Sequence, residues 1–232
     1  MLEDLKKEVC EQNLRLVEAN LVVLTWGNVS GYDPESKLLA IKPSGVSYDK
    51  MKPEDMVVLD LDGNVVEGKL NPSSDTPTHI EIYKRYGDAG IQGVVHTHSV
   101  EATAWAQANR EIPCYGTTHA DQAYGPIPCT RILTKEEVEE AYEKNTGKVI
   151  LEYFEDKDIS AQPGILVAGH APFTWGATAK AAVDNSIALE KIAQMARYTE
   201  MNAQGKAEEL PQYVADKHYY RKHGKDAYYG QN

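Results

Sequence analysis

No apolar stretch of this sequence approaches the roughly 20 residues that a membrane-crossing helix needs. Residues 1–7 read as a charged helix start, not as an export signal. Cysteine is scarce: Cys10, Cys114 and Cys129 are odd in number and contain no Cys-x-x-Cys pair. Neither a disulfide framework nor a thiolate zinc knuckle is supported, and a reducing cytoplasm is the expected setting. Basic charge is outnumbered, with 24 Lys and Arg against 35 Asp and Glu and a formal charge of −11. Non-specific nucleic-acid binding requires cations that neutralise phosphates, so neither nucleic acid nor a membrane is the expected partner. An anionic small substrate would need a local positive pocket. Internal repeats, low-complexity tracts and interdomain linkers are also missing, and 232 residues suffice for one domain over 1–232 with a full core.

Two apolar runs that stop at histidine stand out against this background. Residues 91–95 are rich in β-branched side chains, as strands are, and lead into His96-Thr97-His98. A strand period of two puts both imidazoles on one face. That spacing supplies two adjacent positions on a Zn²⁺ ion; the plainer alternative is a solvated strand rim. Residues 164–168 form a second such run, ending in Gly169-His170. Three imidazoles at two strand ends can share one metal and leave a coordination position open, as catalytic zinc sites do. Asp75 is the candidate carboxylate beside them. Its competing role is a helix N-cap, shared as a candidate with Thr76, because Pro77 suits a first helical turn.

The rest of the pattern reads as a sheet layered between helices. Leu2, Leu5, Val9 and Leu16 predict an amphipathic helix over 2–19. Residues 21–25 turn apolar and β-branched ahead of Trp26-Gly27-Asn28-Val29-Ser30, and 37–42 read as the next strand. Residues 56–61 and 64–66 flank Asp62-Gly63, a tight-hairpin signal. Helices are expected over 77–86, over 101–108 and from the capping box at Thr134 and Glu137 to about residue 144. The longest spans 177–198, with Val183, Ile187, Ile192 and Met195 on its buried side. Residues 149–154 and 164–168 read as the last strands, and 113–128 as loop.

Three loops of small polar residues, Gly27-Asn28, Ser44-Gly45 and Ser73-Ser74, have the composition of a phosphate cradle. Each is also an ordinary turn. Lys42, next to the second loop, can supply a compact positive charge. Thr117-Thr-His119-Ala-Asp121 and a mixed basic and aromatic tail holding His218, Arg221, His223 and Tyr229 read first as surface, and gain interest only if the chain closes over a site, as from a neighbouring subunit.

Taken together, Leu24-Thr-Trp-Gly-Asn-Val-Ser30, Ile41-Lys-Pro-Ser-Gly-Val46, Pro72-Ser-Ser-Asp-Thr-Pro-Thr-His79, Val94-Val-His-Thr-His-Ser99, Gly116-Thr-Thr-His-Ala-Asp121, Lys217-His-Tyr-Tyr-Arg-Lys-His223 and Ala227-Tyr-Tyr-Gly-Gln231 resemble the class II aldolase and epimerase family, in order and over essentially the whole chain. The resemblance implies a single-domain, three-layer α/β/α fold with a central, mainly antiparallel sheet, and a homotetramer with active sites between subunits. It makes His96, His98 and His170 zinc ligands, with Asp75 the associated carboxylate and Mn²⁺ or Co²⁺ as substitutes. It assigns Gly27, Asn28, Lys42, Ser44, Gly45, Ser73 and Ser74 to substrate and phosphate, Asp121 and Tyr229 to acid/base work, and His218 and Arg221 to support.

The activity implied is inversion at C4 between L-ribulose 5-phosphate and D-xylulose 5-phosphate. The C4 hydrogen is not α to the C2 carbonyl, so simple proton removal is closed and cleavage of the C3–C4 bond is the accessible route. Re-addition to the other face of the aldehyde needs proton transfer on both faces, hence two acid/base groups. The alternatives are a class II aldolase acting on L-fuculose 1-phosphate or a similar ketose 1-phosphate, and a non-catalytic module that binds metal or sugar phosphate. Related aldolases carry Glu where this chain has Asp75, which favours the epimerase.

Overall fold

The computed structural model describes residues 2–225 and 227–230. Among them seven strands form one sheet: β1 (Asn28–Asp33), β2 (Leu38–Ile41), β3 (Val57–Asp60), β4 (Val65–Glu67), β5 (Gly93–His96), β6 (Gly164–Leu166) and β7 (Pro172–Gly176), ordered β4-β3-β2-β1-β5-β7-β6. Every neighbouring pair is antiparallel. The helices are α1 (Glu3–Glu18), α2 (Thr76–Tyr86), α3 (Val100–Gln107), α4 (Thr117–Ala120), α5 (Lys135–Tyr153), α6 (Ala179–Asn202) and α7 (Gln212–Tyr220). No helix of the described residues is long and apolar enough to cross a membrane.

Alternate strand residues serve two different cores, as a period of two requires when both faces are covered. Leu39, Ile41, Val57, Leu59, Val94 and Phe173 pack with Ile80, Ile82 and Tyr83 of α2 and Ile150 of α5. Their neighbours Ala40, Val58 and Val95 turn the other way, onto Val9 and Leu16 of α1 and Ala179 and Val183 of α6. The result is the expected three-layer α/β/α arrangement. A third cluster packs α3 and the far end of α6 against Ile112 and Ile127 of the long loop.

Several elements depart from their sequence signals. Residues 21–25 are not a strand: Val23 and Leu24 are exposed, Leu24 has a positive φ, and pairing begins only at Asn28. Residues 149–154 are helix and helix end, not strand. The helix capped by Thr134 breaks at Ala141 (φ −165°, ψ 78°) but resumes, and Val149 and Ile150 lie buried on it. A short apolar run fits either element; here the helix continues through Gly147, where the missing side chain lets α5 close onto Glu81 of α2. Within α6, Val183 and Ile192 are buried but Met195 is exposed. Strand β7, which the pattern did not announce, opens with Pro172, a first-strand position where the missing N–H costs least. The 113–128 loop contains one short helix, α4, and the tail forms α7.

Gly93 shows how tightly β5 is pressed onto the start of α6. A Cβ there would meet the Thr178 carbonyl oxygen at 2.2 Å and the Ala179 nitrogen at 2.6 Å, both backbone atoms. Gly93→Ala is therefore expected to destabilise the protein by about 1–3 kcal/mol, read as a lower urea midpoint. Unchanged stability would mean that the strand and helix can separate freely.

Candidate metal centre and active site

Strand β5 ends at His96, which lies between Asn28 of β1 and Phe173 of β7 in the sheet register. Its Nδ1 is 3.1 Å from the Pro172 carbonyl oxygen. An N–H donated to that carbonyl leaves the lone pair on Nε2. His98 follows just past the strand end, and His170 sits in the turn between β6 and β7. One nitrogen from each of the three lies within 4.8 Å of the others, and His96 Nε2 is 3.1 Å from His98 Nε2. His170 Nδ1 is buried without a hydrogen-bond partner. Burial lowers the pKa of all three; that of His96 falls to about 3, with His170 and His98 adding and Asp75 opposing. The rings are neutral at pH 7, which is the form that ligates metal. Nitrogen donors this close, with no carbonyl or carboxylate among them, fit a tetrahedral zinc-type ion.

The N-cap reading of Asp75 is only half right. Asp75 occupies the cap position of α2, but its side chain makes no capping bond. Instead Oδ2 accepts a 2.7 Å hydrogen bond from Asn28 Nδ2, which also donates to Ser73 Oγ at 2.9 Å. Burial pushes the Asp75 pKa up, but His96, His79, Asn28 and His170 outweigh it and the carboxyl stays below its usual range. Asp75 is thus an anion beside the histidines, outside their closest cluster.

The three polar loops converge on the same place. The Ser44 N–H donates to Asn71 and the Ser73 N–H to Lys42, which ties the 43–45 and 71–74 turns together. Gly27 has φ +78°, and a Cβ there would lie 3.0 Å from the His96 carbonyl oxygen, so the first loop can approach the metal strand only as glycine. Lys42 is not a solvated strand end: it is 2% exposed, donates to the Thr25 and Pro43 carbonyls at 3.3 Å, and lies over the Tyr48 ring. Burial lowers its pKa, with Asp75 opposing. A cleft of about 530 Å³ is lined by Gly27, Asn28, Lys42, Ser44, Gly45, Ser73, Ser74, Asp75, His96, His98 and His170. All eleven come from the sequence-derived candidates.

The other four form a separate cluster. Asp121, at the end of α4, receives two hydrogen bonds from Arg221, at 2.9 and 2.6 Å, and lies 3.0 Å from His218 Nδ1. Burial raises its pKa but the bonds from Arg221 and His218 prevail, so the carboxyl is held low. The Tyr229 ring is 60% exposed and lies beneath Arg221 and Lys222. None of the four lines the cleft of the same chain. Thr25, Trp26, Tyr142 and Glu143 do line it without having been singled out. For Tyr142 and Glu143 no sequence signal existed, since the break at Ala141 that accompanies them is not marked by Gly or Pro.

A family model described as class II aldolase and adducin N-terminal domain matches residues 7–197. An L-ribulose-5-phosphate 4-epimerase, UlaF, from Salmonella paratyphi B is 51% identical over 230 residues, covering 99% of this chain and 100% of that protein. Among solved structures, an L-fuculose 1-phosphate aldolase superposes with a TM-score of 0.77 at 26% identity, over 94% of this chain and 95% of that one. The L-fuculose 1-phosphate aldolase from Glaciozyma antarctica PI12 gives 0.75 at 19% identity, over 97% and 84%, and speaks for the fold alone.

Two buried histidines outside the close cluster give a pH dependence. Burial lowers the pKa of His79 and of His119 to about 4, against 6.5 ordinarily. The unfolded chain then takes up protons that the folded one refuses, so stability is full above pH 6.5 and declines as the pH falls toward 4. The expected slope is about 1.4 kcal/mol per pH unit for each imidazole, measured as urea midpoints; in metal-free protein His96, His98 and His170, whose pKa values burial also lowers, steepen it further. A flat profile over that range would contradict it.

Proposed function

The chain belongs to the class II aldolase and adducin family, and on that footing we propose that it interconverts L-ribulose 5-phosphate and D-xylulose 5-phosphate at C4. The observation that carries this reading is the end-to-end likeness, at 51% identity, to a protein named as that epimerase. The cleft is consistent with the chemistry. His96, His98 and His170 would hold a divalent ion such as zinc, with Asp75 alongside. When bound, such an ion supplies Lewis-acid stabilisation of negative charge that develops on the ketose fragment.

The chain's own groups do the rest. A base removes the proton of the C4 hydroxyl, the C3–C4 electron pair stays with C3, and the products are glycolaldehyde phosphate and the enolate of dihydroxyacetone. The aldehyde turns, the enolate carbon adds to its other face, and an acid returns a proton to the new C4 alkoxide. Lys42 and the hydroxyls of Ser44, Ser73 and Ser74, with Gly27, Asn28 and Gly45, are assigned to the substrate and its phosphate, where they would retain the aldehyde while it turns. Asp121 and Tyr229 are assigned as the two acid/base groups, with His218 and Arg221 supporting them. Because these four lie outside the cleft of their own chain, the reading places them over the cleft of an adjoining copy in a homotetramer. A single catalytic domain over 1–232 belongs to the same proposal.

The purified protein should convert L-ribulose 5-phosphate to D-xylulose 5-phosphate, lose activity on exhaustive chelation and regain it with zinc. Full activity after chelation, or turnover of L-fuculose 1-phosphate alone, would defeat the reading. Asp121→Asn and Tyr229→Phe should each lower kcat by roughly 10²–10⁴-fold with zinc content intact. Wild-type turnover in either variant would remove that residue from its role.

A further inference from the structure

Strand β1 and helix α2 face each other through a ladder of polar contacts. Asn28, Ser30 and Tyr32 lie on one side of the strand, and Asp75, His79 and Tyr83 follow one another at the helical spacing of four. The first rung is Asn28 Nδ2 to Asp75 Oδ2 at 2.7 Å. On the second, Ser30 Oγ lies 2.7 Å from both His79 Nδ1 and Tyr83 Oη. On the third, Tyr32 stacks on Tyr83 with ring centroids 5.1 Å apart. Two residues of strand advance about 6.7 Å and four of helix about 6 Å, so the two periods stay in step over three rungs.

One atom of this ladder is unused. His79 is completely buried, its Nδ1 is committed to Ser30, and its Nε2 has no hydrogen-bond partner. On the neighbouring rung Asn28 Oδ1 is likewise buried and unpaired. Buried polar atoms are seldom left so; in native proteins each is commonly met by an ordered water. His79 stands one helical turn beyond Asp75, and its backbone N–H donates to the Asp75 carbonyl at 3.3 Å. It also sits edge-on to Phe173, which in turn stacks on His96.

We infer that His79 is a positioning residue for Asp75: its Nε2 holds the Asp75–Asn28 rung through one buried water, and so sets the direction in which the carboxylate faces the three histidines. This rests on the reading of His96, His98 and His170 as a metal site. Glutamine places its amide near the position of Nε2, whereas asparagine reaches only as far as Nδ1. The two substitutions therefore separate the contact with Asp75 from the contact with Ser30.

The test is zinc affinity, measured by competition with a chelator on the full-length protein. His79→Asn should bind zinc roughly 10–100-fold more weakly than wild type, the usual loss when a group behind a metal ligand is removed. His79→Gln should bind close to the wild-type value. In an Asp75→Asn background, His79→Asn should cost nothing further, since the two would act through one interaction. Undiminished affinity in His79→Asn, equal losses in both variants, or additive losses with Asp75→Asn would each overturn the inference while leaving the metal site standing. A wild-type protein that binds no zinc would overturn the metal reading itself. A crystal structure of the zinc-loaded wild type needs no variant: a water bonded to His79 Nε2 and to the Asp75–Asn28 pair is expected, and a dry Nε2 would refute it.

Discussion

The site depends on a contact that involves no reacting group, the one between His96 Nδ1 and the Pro172 carbonyl. It joins the end of β5 to the beginning of β7 and settles which nitrogen of the ring is left with a lone pair. With that ring fixed, His98 comes to 3.1 Å from it and His170 closes the triangle from the next turn. Burial then keeps all three uncharged. Removing the hydrogen from Nδ1 or rotating the ring would spoil the donor set without touching any of the other residues, because a metal-ligating imidazole owes its direction to the bond on its far nitrogen.

The cleft around these rings is built from parts far apart in sequence, and each is held by backbone. The first loop can reach the metal strand because Gly27 lacks a side chain. The second and third are joined by the Ser44–Asn71 and Lys42–Ser73 bonds. Asp121, His218, Arg221 and Tyr229 form a second centre, and the two centres divide the labour in the proposed reaction. In that proposal one would grip substrate and metal, and the other would present proton-transfer groups to a neighbouring molecule.

How much of this was legible in the sequence varied with the distance over which each signal acts. An apolar run that halts at His-x-His is local, so strand β5 with its two histidines could be read directly, as could the helix after Pro77; the hairpin around Asp62-Gly63 also forms, but its connection takes in residues 61–64 rather than two residues. The departure of Asp75 from its cap could not be read, because it depends on Asn28, 47 positions away. The same holds for His79, which looks like any helical histidine until Ser30 is seen opposite it. Residues 149–154 failed differently: Val149 and Ile150 suit a strand, yet Ile150 and Phe154 pack into the α2-facing core from a helix and its end, and tertiary packing overruled local preference. The grouping of the C-terminal residues with Asp121 spans about a hundred positions and has no local signature.

Lys42 carries a final implication. Its ammonium has been withdrawn from water and its hydrogen bonds go to the uncharged carbonyls of Thr25 and Pro43, an arrangement that leaves positive potential directed into the cleft. In the proposed reaction an arriving phosphate would relieve that tension where the 43–45 and 71–74 turns are tied together. On that proposal, occupancy and the folding of these turns would be thermodynamically linked: the substrate's anion would act as a structural brace, and the protein would become harder to unfold the more tightly it is gripped.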